Sequence, residues 1–293
     1  MIELAPTGDG HFALSYGGDT FNTAIYLARA GMNVSYATAL GDDPYSSRIV
    51  NFAEKEGIGT ELIVQVEDRR PGLYLIEIDD IGEARFFHWR EASPAREYFE
   101  LPNWQRLRKP ILNASMIFFS GVTLSIYSDK GITRLLKILE QAREKGAKVA
   151  FDSNFRRRGW GGEVLRARSV YARALNYVDI ALPTFEDEAE LWGDPDPQAT
   201  VDRLQRFGIQ EIVVKNAAND ALAVFEDRRE WIPVPERIQP VDSTGAGDSF
   251  NAGYLAARVG GKTVKAAVFI AHRLGGEKIR YRGAIMPRRQ FTQ

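Results

Sequence analysis

Residues 242–253 read DSTGAGDSFNAG. Three small residues, Gly245, Ala246 and Gly247, run into Asp248, and Phe250, Ala252, Tyr254 and Leu255 continue at spacing that predicts a helix. The first N–H groups of a helix lack partners inside it and carry partial positive charge, so glycines there let an anion come close. Phosphate is the obvious anion. A carboxylate in that first turn reads in two ways. It complements the helix dipole, worth ~0.3–1 kcal/mol, or it takes a proton from a hydroxyl while the N–H groups hold a phosphoryl group in transfer. Two better-known nucleotide motifs do not fit. Phe250 stands where G-x-G-x-x-G needs its third glycine, and Gly261-Lys262-Thr263, which looks like the end of a P-loop, has Ala256 in place of the first glycine.

The 293 residues around this stretch are 44% hydrophobic, enough for one large α/β domain. Lysine and arginine number 38 against 39 acids, a net charge of −1, so nothing in the balance favours nucleic acid or a membrane surface. The absence of cysteine removes disulfides, thiolate metal sites and a thiol nucleophile, and three scattered histidines make a zinc site improbable. No apolar run is long enough to span a bilayer and Met1–Leu14 has no secretion pattern, so the chain is expected in the cytoplasm.

Periodicity predicts a helix over 19–30, a strand over 34–40 and a helix over 45–55. Three strands follow at 62–66, 73–78 and 84–89, with a hairpin turn at 79–82. Together with Phe12–Ser15 these strands are expected to form a small lid sheet over about 10–17 and 61–91. Strands at 116–120, 148–152, 178–182 and 211–215 then alternate with helices near 129–145, 163–176, 185–192 and 197–207. That alternation argues for a parallel sheet covered on both faces. Short strands at 221–225 and 230–233 and helices near 246–259 and 262–275 complete the chain.

Two other segments carry polar groups next to glycine or strand ends. Gly17-Gly18-Asp19-Thr20-Phe21-Asn22 is an ordinary helix start, yet Asn22 also projects beside exposed glycine backbone, where it can bind hydroxyls. Asp152-Ser153-Asn154-Phe155-Arg156 follows the C-terminal end of a strand, where ligands of open α/β sheets collect; Arg156 to Arg158 also read as a solvated basic turn.

Together, Gly17-Gly18 with Asn22, the 152–156 segment and Asp242-Ser243-Thr244-Gly245-Ala246-Gly247-Asp248 resemble the ribokinase-like (PfkB) family of carbohydrate kinases over essentially the whole chain. Within it, Gly18–Ala24, Arg70–Tyr74, Phe87–Arg90, Leu191–Gly193 and Tyr281–Ile285 are most similar to members acting on the sugar acid 2-keto-3-deoxygluconate. The resemblance implies a single domain over 1–293, a three-layer α/β/α sandwich with a mostly parallel central sheet and a β lid. It implies ATP-dependent phosphorylation of the C6 hydroxyl with Mg²⁺, and leaves a dependence on K⁺ open. It places Asp248 as base, Gly245, Ala246 and Gly247 as anion hole, and Gly18, Asn22, Tyr74, His88, Arg90 and Arg156 around the sugar acid. Asn154, Arg156, Lys215, Asn216, Ala218, Asp220, Gly245, Gly247, His272 and Gly275 are expected along the nucleotide. Asp187 is expected to act on Mg²⁺ through water, with Glu186 and Glu188 as alternatives, and Asp242 and Thr244 on a monovalent cation. A homo-oligomer through the lid is implied too.

Three departures temper this. The usual asparagine and glutamate of the acidic helix become Thr184-Phe185-Glu186-Asp187, and the nucleotide loop 215–220 lacks its glycine. Relatives also carry a strand ahead of the segment resembling Met1-Ile2-Glu3-Leu4, so the first central strand is expected to be missing. A fructokinase or ribokinase-like enzyme, or a non-catalytic sugar- or nucleotide-binding protein, are the other readings.

Overall fold

The computed structural model describes residues 1–8, 10–78, 84–226, 228–288 and 291. The chain opens with two antiparallel strands, β1 (Ile2–Gly8) and β2 (His11–Tyr16). Helix α1 (Asp19–Arg29) leads to β3 (Thr38–Gly41), helix α2 (Pro44–Lys55) and β4 (Ile63–Val66). Asp43 caps α2 by accepting from the N–H groups of Tyr45 and Ser46, with Pro44 at the first helical position. Strands β5 (Leu73–Ile78) and β6 (Ala84–Trp89) follow; the hairpin turn expected at 79–82 lies outside the described residues.

Helix α3 (Trp104–Ile111), strand β7 (Met116–Ser120) and helices α4 (Gly121–Ile126) and α5 (Asp129–Glu144) come next. The alternation continues with β8 (Lys148–Asp152), α6 (Val164–Leu175), β9 (Ile180–Ala181), α7 (Phe185–Trp192), α8 (Pro197–Gln205) and β10 (Glu211–Asn216). Hairpin strands β11 (Asn219–Phe225) and β12 (Arg228–Ile232) precede α9 (Ala246–Val259) and α10 (Val264–Lys278). The last helix runs three residues past its expected end, and α3 and α4 had no expectation because they are short and α3 contains Pro110.

The main sheet has the order β12-β11-β10-β9-β8-β7, parallel from β10 to β7 with an antiparallel edge. Its side chains alternate between two cores, as the period of a strand requires. Ile212 and Val214 of β10 pack with Phe119, Phe151 and Leu204, while Val213 between them packs with Tyr254, Leu255 and Val268 of α9 and α10. Helices therefore cover both faces, giving the three-layer sandwich.

The lid differs in membership from the strand pattern. Its order is β2-β1-β5-β6, so Ile2–Gly8 joins it as an inner strand. Ile63–Val66, expected in the lid, pairs in parallel with β3 instead, because β4 returns from α2 as the second strand of a β-α-β unit. Among the described strands none joins the β3–β4 pair to the main sheet.

Candidate active site

Helix α9 starts without a side-chain cap. Gly245 holds the N-cap position at φ 76°, and a Cβ there would stand 2.6 Å from the Ala284 carbonyl oxygen, so a glycine is required by both conformation and space. The Ala246 N–H donates to the Ser243 carbonyl at 3.1 Å, while those of Gly245 and Gly247 have no backbone partner among the described residues and are left to a ligand. Asp248, 8% exposed, lies in the first turn of α9 and accepts from Asn22 Nδ2 at 2.8 Å across to α1. Thr23 Oγ1 donates to the Asp248 carbonyl, which ties the two helices beside the base. Burial first, then the negative charge of Asp19, pushes the Asp248 carboxyl up to about 8, with Asn22 opposing. A carboxylate with such proton affinity is suited to take a proton from an alcohol near neutral pH.

Asn22 is itself 4% exposed, and its Oδ1 has no partner among the described residues. It is reached over the Gly17–Gly18 turn, where Gly18 adopts φ 147° and a Cβ on Gly17 would sit 2.5 Å from the Tyr74 hydroxyl. Tyr74 donates that hydroxyl to Glu3 on the neighbouring strand β1, and Glu3 also accepts from Ser15 Oγ at 2.6 Å. Burial and the Glu3 charge hold the Tyr74 hydroxyl firmly protonated. His88 stacks on Tyr74 with centroids 5.7 Å apart. Arg90 borders a cavity of about 110 Å³ together with Gly18, Asp19 and Arg96. Tyr74 and His88 thus stand on lid strands β5 and β6, and Arg90 follows β6.

Below the anion site lies a buried charge network. Lys215 Nζ donates to Asp152 Oδ1 at 3.1 Å and to Asn251 Oδ1 at 2.9 Å, and Asn251 Nδ2 donates to Asp152 Oδ2 at 2.7 Å. The ammonium lies 3.6 Å from where a Gly247 Cβ would stand, so positive charge supports the glycines from beneath. Asn154, at φ 32°, donates to Asp19 Oδ2 at 3.1 Å, and Ser120 Oγ donates to the same oxygen. Withdrawal from water raises the Asp19 carboxyl against the pull of that serine.

The remaining expected residues divide. Arg156 pairs with Asp187, with Nη1 to Oδ1 at 2.8 Å. Burial raises Asp187 to about 6 despite Arg156. Glu188 is excluded from metal work because Arg203 holds it in the core. Asn216, Ala218 and Asp220 belong to the exposed β10–β11 turn, where Ala217 takes φ 48° in place of a glycine. His272 packs edge-on to Phe250 at 5.2 Å and its Nε2 has no partner among the described residues. Burial lowers its proton affinity. Gly275 lets α10 approach the start of α9, with 3.4 Å from its Cβ position to the Ala246 oxygen.

Asp242 spends its carboxylate on the N–H groups of Thr244 (2.8 Å) and Gly283 (2.7 Å), while its carbonyl accepts from Lys278 Nζ at 2.7 Å. Burial lowers Lys278 to about 8 against the attraction of Asp242, Glu3 and Asp248. Among the described residues no three acids or histidines stand as a metal-ligand set. That donor supply suits a divalent ion held chiefly by phosphate and water.

Glu3, Asp19, Asp152, Asn251 and Lys278 were not expected as site residues. Asn251 and Asp152 had a signal: Asn251 follows Asp248 by three positions, on the same helix face, and Asp152 ends a strand. Glu3 and Lys278 had none.

Residues 5–290 match the family described as pfkB family carbohydrate kinase. The chain is 38% identical over 295 residues to the 2-dehydro-3-deoxygluconokinase of Dickeya dadantii, covering 98% of this chain and 94% of that one. It is 36% identical to the enzyme of the same name from Escherichia coli K12, covering 98% and 95%. In three dimensions it superposes on the 2-dehydro-3-deoxygluconokinase of Thermotoga maritima with a TM-score of 0.83 at 23% identity, covering 98% and 93%. A putative ribokinase II of E. coli in complex with ATP and Mg²⁺ gives 0.83 at 17% identity, covering 97% and 91%.

Proposed function

Because the chain belongs to the pfkB family of carbohydrate kinases, we propose that it transfers the γ-phosphoryl group of ATP to the C6 hydroxyl of 2-keto-3-deoxy-D-gluconate, yielding the 6-phosphate and ADP. The observation that carries this reading is Asp248, a buried carboxyl raised to about 8, in the first turn of α9 and oriented by Asn22.

Asp248 accepts the hydroxyl proton as the oxygen attacks phosphorus, and the N–H groups of Gly245 and Gly247 take up the charge on the phosphoryl oxygens. Lys215 backs those glycines electrostatically. Asp187 would hold a divalent ion through water, and that ion would supply further charge neutralisation when bound. Gly18 and Asn22 hold sugar hydroxyls. With its proton committed to Glu3, the Tyr74 oxygen is left to accept from a substrate hydroxyl. Arg90 meets the carboxylate, for which a guanidinium fork is matched, and this favours a sugar acid over fructose or ribose. The identity to 2-dehydro-3-deoxygluconokinases over nearly the full chain supports the same choice.

The lid supports a dimer, since Phe12, Leu14, Phe87 and Trp89 on its strands are 40–57% exposed. No helix among the described residues is long and apolar enough to cross a membrane, and use of ATP supports a cytoplasmic location. A cation beneath the 242–244 loop belongs to the reading, K⁺ being the mobile candidate and the Lys278 ammonium the resident one. The test is a coupled ADP-release assay with 2-keto-3-deoxygluconate, D-fructose and D-ribose. The reading expects kcat/KM for the sugar acid to exceed the others at least about tenfold, about 1.4 kcal/mol of transition-state preference; a preference for fructose overturns it.

A further inference from the structure

Lys278 is fully buried, yet none of the chemical steps above uses it. Burying an ammonium costs several kcal/mol unless its partners compensate, so its surroundings indicate what it is kept for. The other buried lysine of the site, Lys215, pairs with the carboxylate of Asp152. Lys278 instead sets its Nζ 2.7 Å from a main-chain carbonyl, that of Asp242. Negative charge reaches it from Asp242 on the loop, Glu3 on β1 and Asp248 on α9. A cation resting on a backbone carbonyl, with acids around it, is the environment of a bound hard metal ion. It also stands at the C-terminus of α10, where the helix dipole favours positive charge.

The loop it supports shapes the anion site. Val241 and Asp242 donate their N–H groups to the Ile279 carbonyl, Asp242 clamps Thr244 and Gly283, and the next turn places Gly245 against Ala284. Moving Asp242 therefore moves the start of α9 and with it the N–H groups at Gly245–Gly247.

We propose that the Lys278 ammonium is a built-in cation that holds the 242–245 loop in its anion-binding shape, so that the protein works without a bound monovalent ion. Lys278 is thus a positioning residue, and the inference rests on the kinase reading. The experiment compares wild type, Lys278→Ala and Lys278→Met in buffers whose only monovalent cation is tetramethylammonium, and with K⁺ or NH₄⁺ added. Wild type is expected to keep the same kcat within about twofold in all three. Lys278→Ala is expected to lose at least about tenfold in kcat with little change in the KM for sugar acid, to recover in K⁺ or NH₄⁺, and to gain a cation-dependent rise in thermal midpoint. Lys278→Met, which fills the space without charge, should lose kcat and not recover. Wild-type dependence on K⁺, full kcat in both variants, or failure of both to fold in any cation overturns the proposal. Should wild type turn over nothing in any buffer, the kinase reading falls, and the cation dependence of the thermal midpoint still decides the role of Lys278.

Discussion

Replacing Asp248 by asparagine separates the chemistry of the site from its cost to stability. The Asn22 amide can still donate to the side-chain oxygen at this position, so sugar binding is expected to survive with KM within about threefold, while kcat falls by about 10²–10⁴, the usual contribution of a general base. The stability change has a definite sign. In the folded protein the Asp248 carboxyl keeps its proton up to about 8, whereas an unfolded aspartate gives it up near 3.9. Stability linked to this proton is fully present below about 3.9 and is lost as pH rises through about 8. At about 1.4 kcal/mol per pH unit, the loss is on the order of 5 kcal/mol. The asparagine variant carries no such term, so it should match wild type near pH 4 and exceed it at pH 9. Urea unfolding of both proteins at the two pH values, beside turnover assays, measures this. Equal stability differences at both pH values would refute the burial argument, and near-normal turnover would remove Asp248 from the mechanism.

The same carboxyl gives wild-type kcat/KM an acid limb, rising with pH toward about 8, and Asp19→Asn should move that limb to lower pH by removing the neighbouring charge; an unmoved limb contradicts the coupling. Gly245→Ala forces a left-handed alanine against the Ala284 carbonyl, a loss of at least about 1–2 kcal/mol in unfolding free energy, with a raised KM for ATP. Ala217→Gly relieves φ 48° in the β10–β11 turn and should stabilise by about 0.5–1 kcal/mol in thermal unfolding, leaving kcat alone. Glu3→Gln frees the Tyr74 proton and should raise the KM for the sugar acid about 3–10-fold with kcat nearly constant, the loss of about one hydrogen bond as read by steady-state kinetics.

Local chemistry was readable in the chain and partner choice was not. The bounds of α9 coincide with those expected, since a glycine turn and apolar spacing act within a few residues. The segment 62–66 shows why strand partners escape such reading: its residue pattern suits a strand wherever it pairs, and its partner, β3, is fixed by the β-α-β connection rather than by the strand itself. Arg156 illustrates the same limit for side chains. An arginine after a strand end suits either a carboxylate ligand or a basic turn, and its direction here is set by Asp187, 31 residues away. Glu3 and Lys278 look like ordinary surface charges in sequence; only the packing of the lid strand and of α10 under the 242–245 loop buries them.

The most direct test of the account follows the phosphorus. A ³¹P NMR time course of the protein with ATP, Mg²⁺ and 2-keto-3-deoxy-D-gluconate should show the γ-phosphate resonance replaced by one phosphomonoester coupled to the C6 methylene protons. Release of inorganic phosphate alone, or a phosphomonoester formed from fructose and not from the sugar acid, would contradict it.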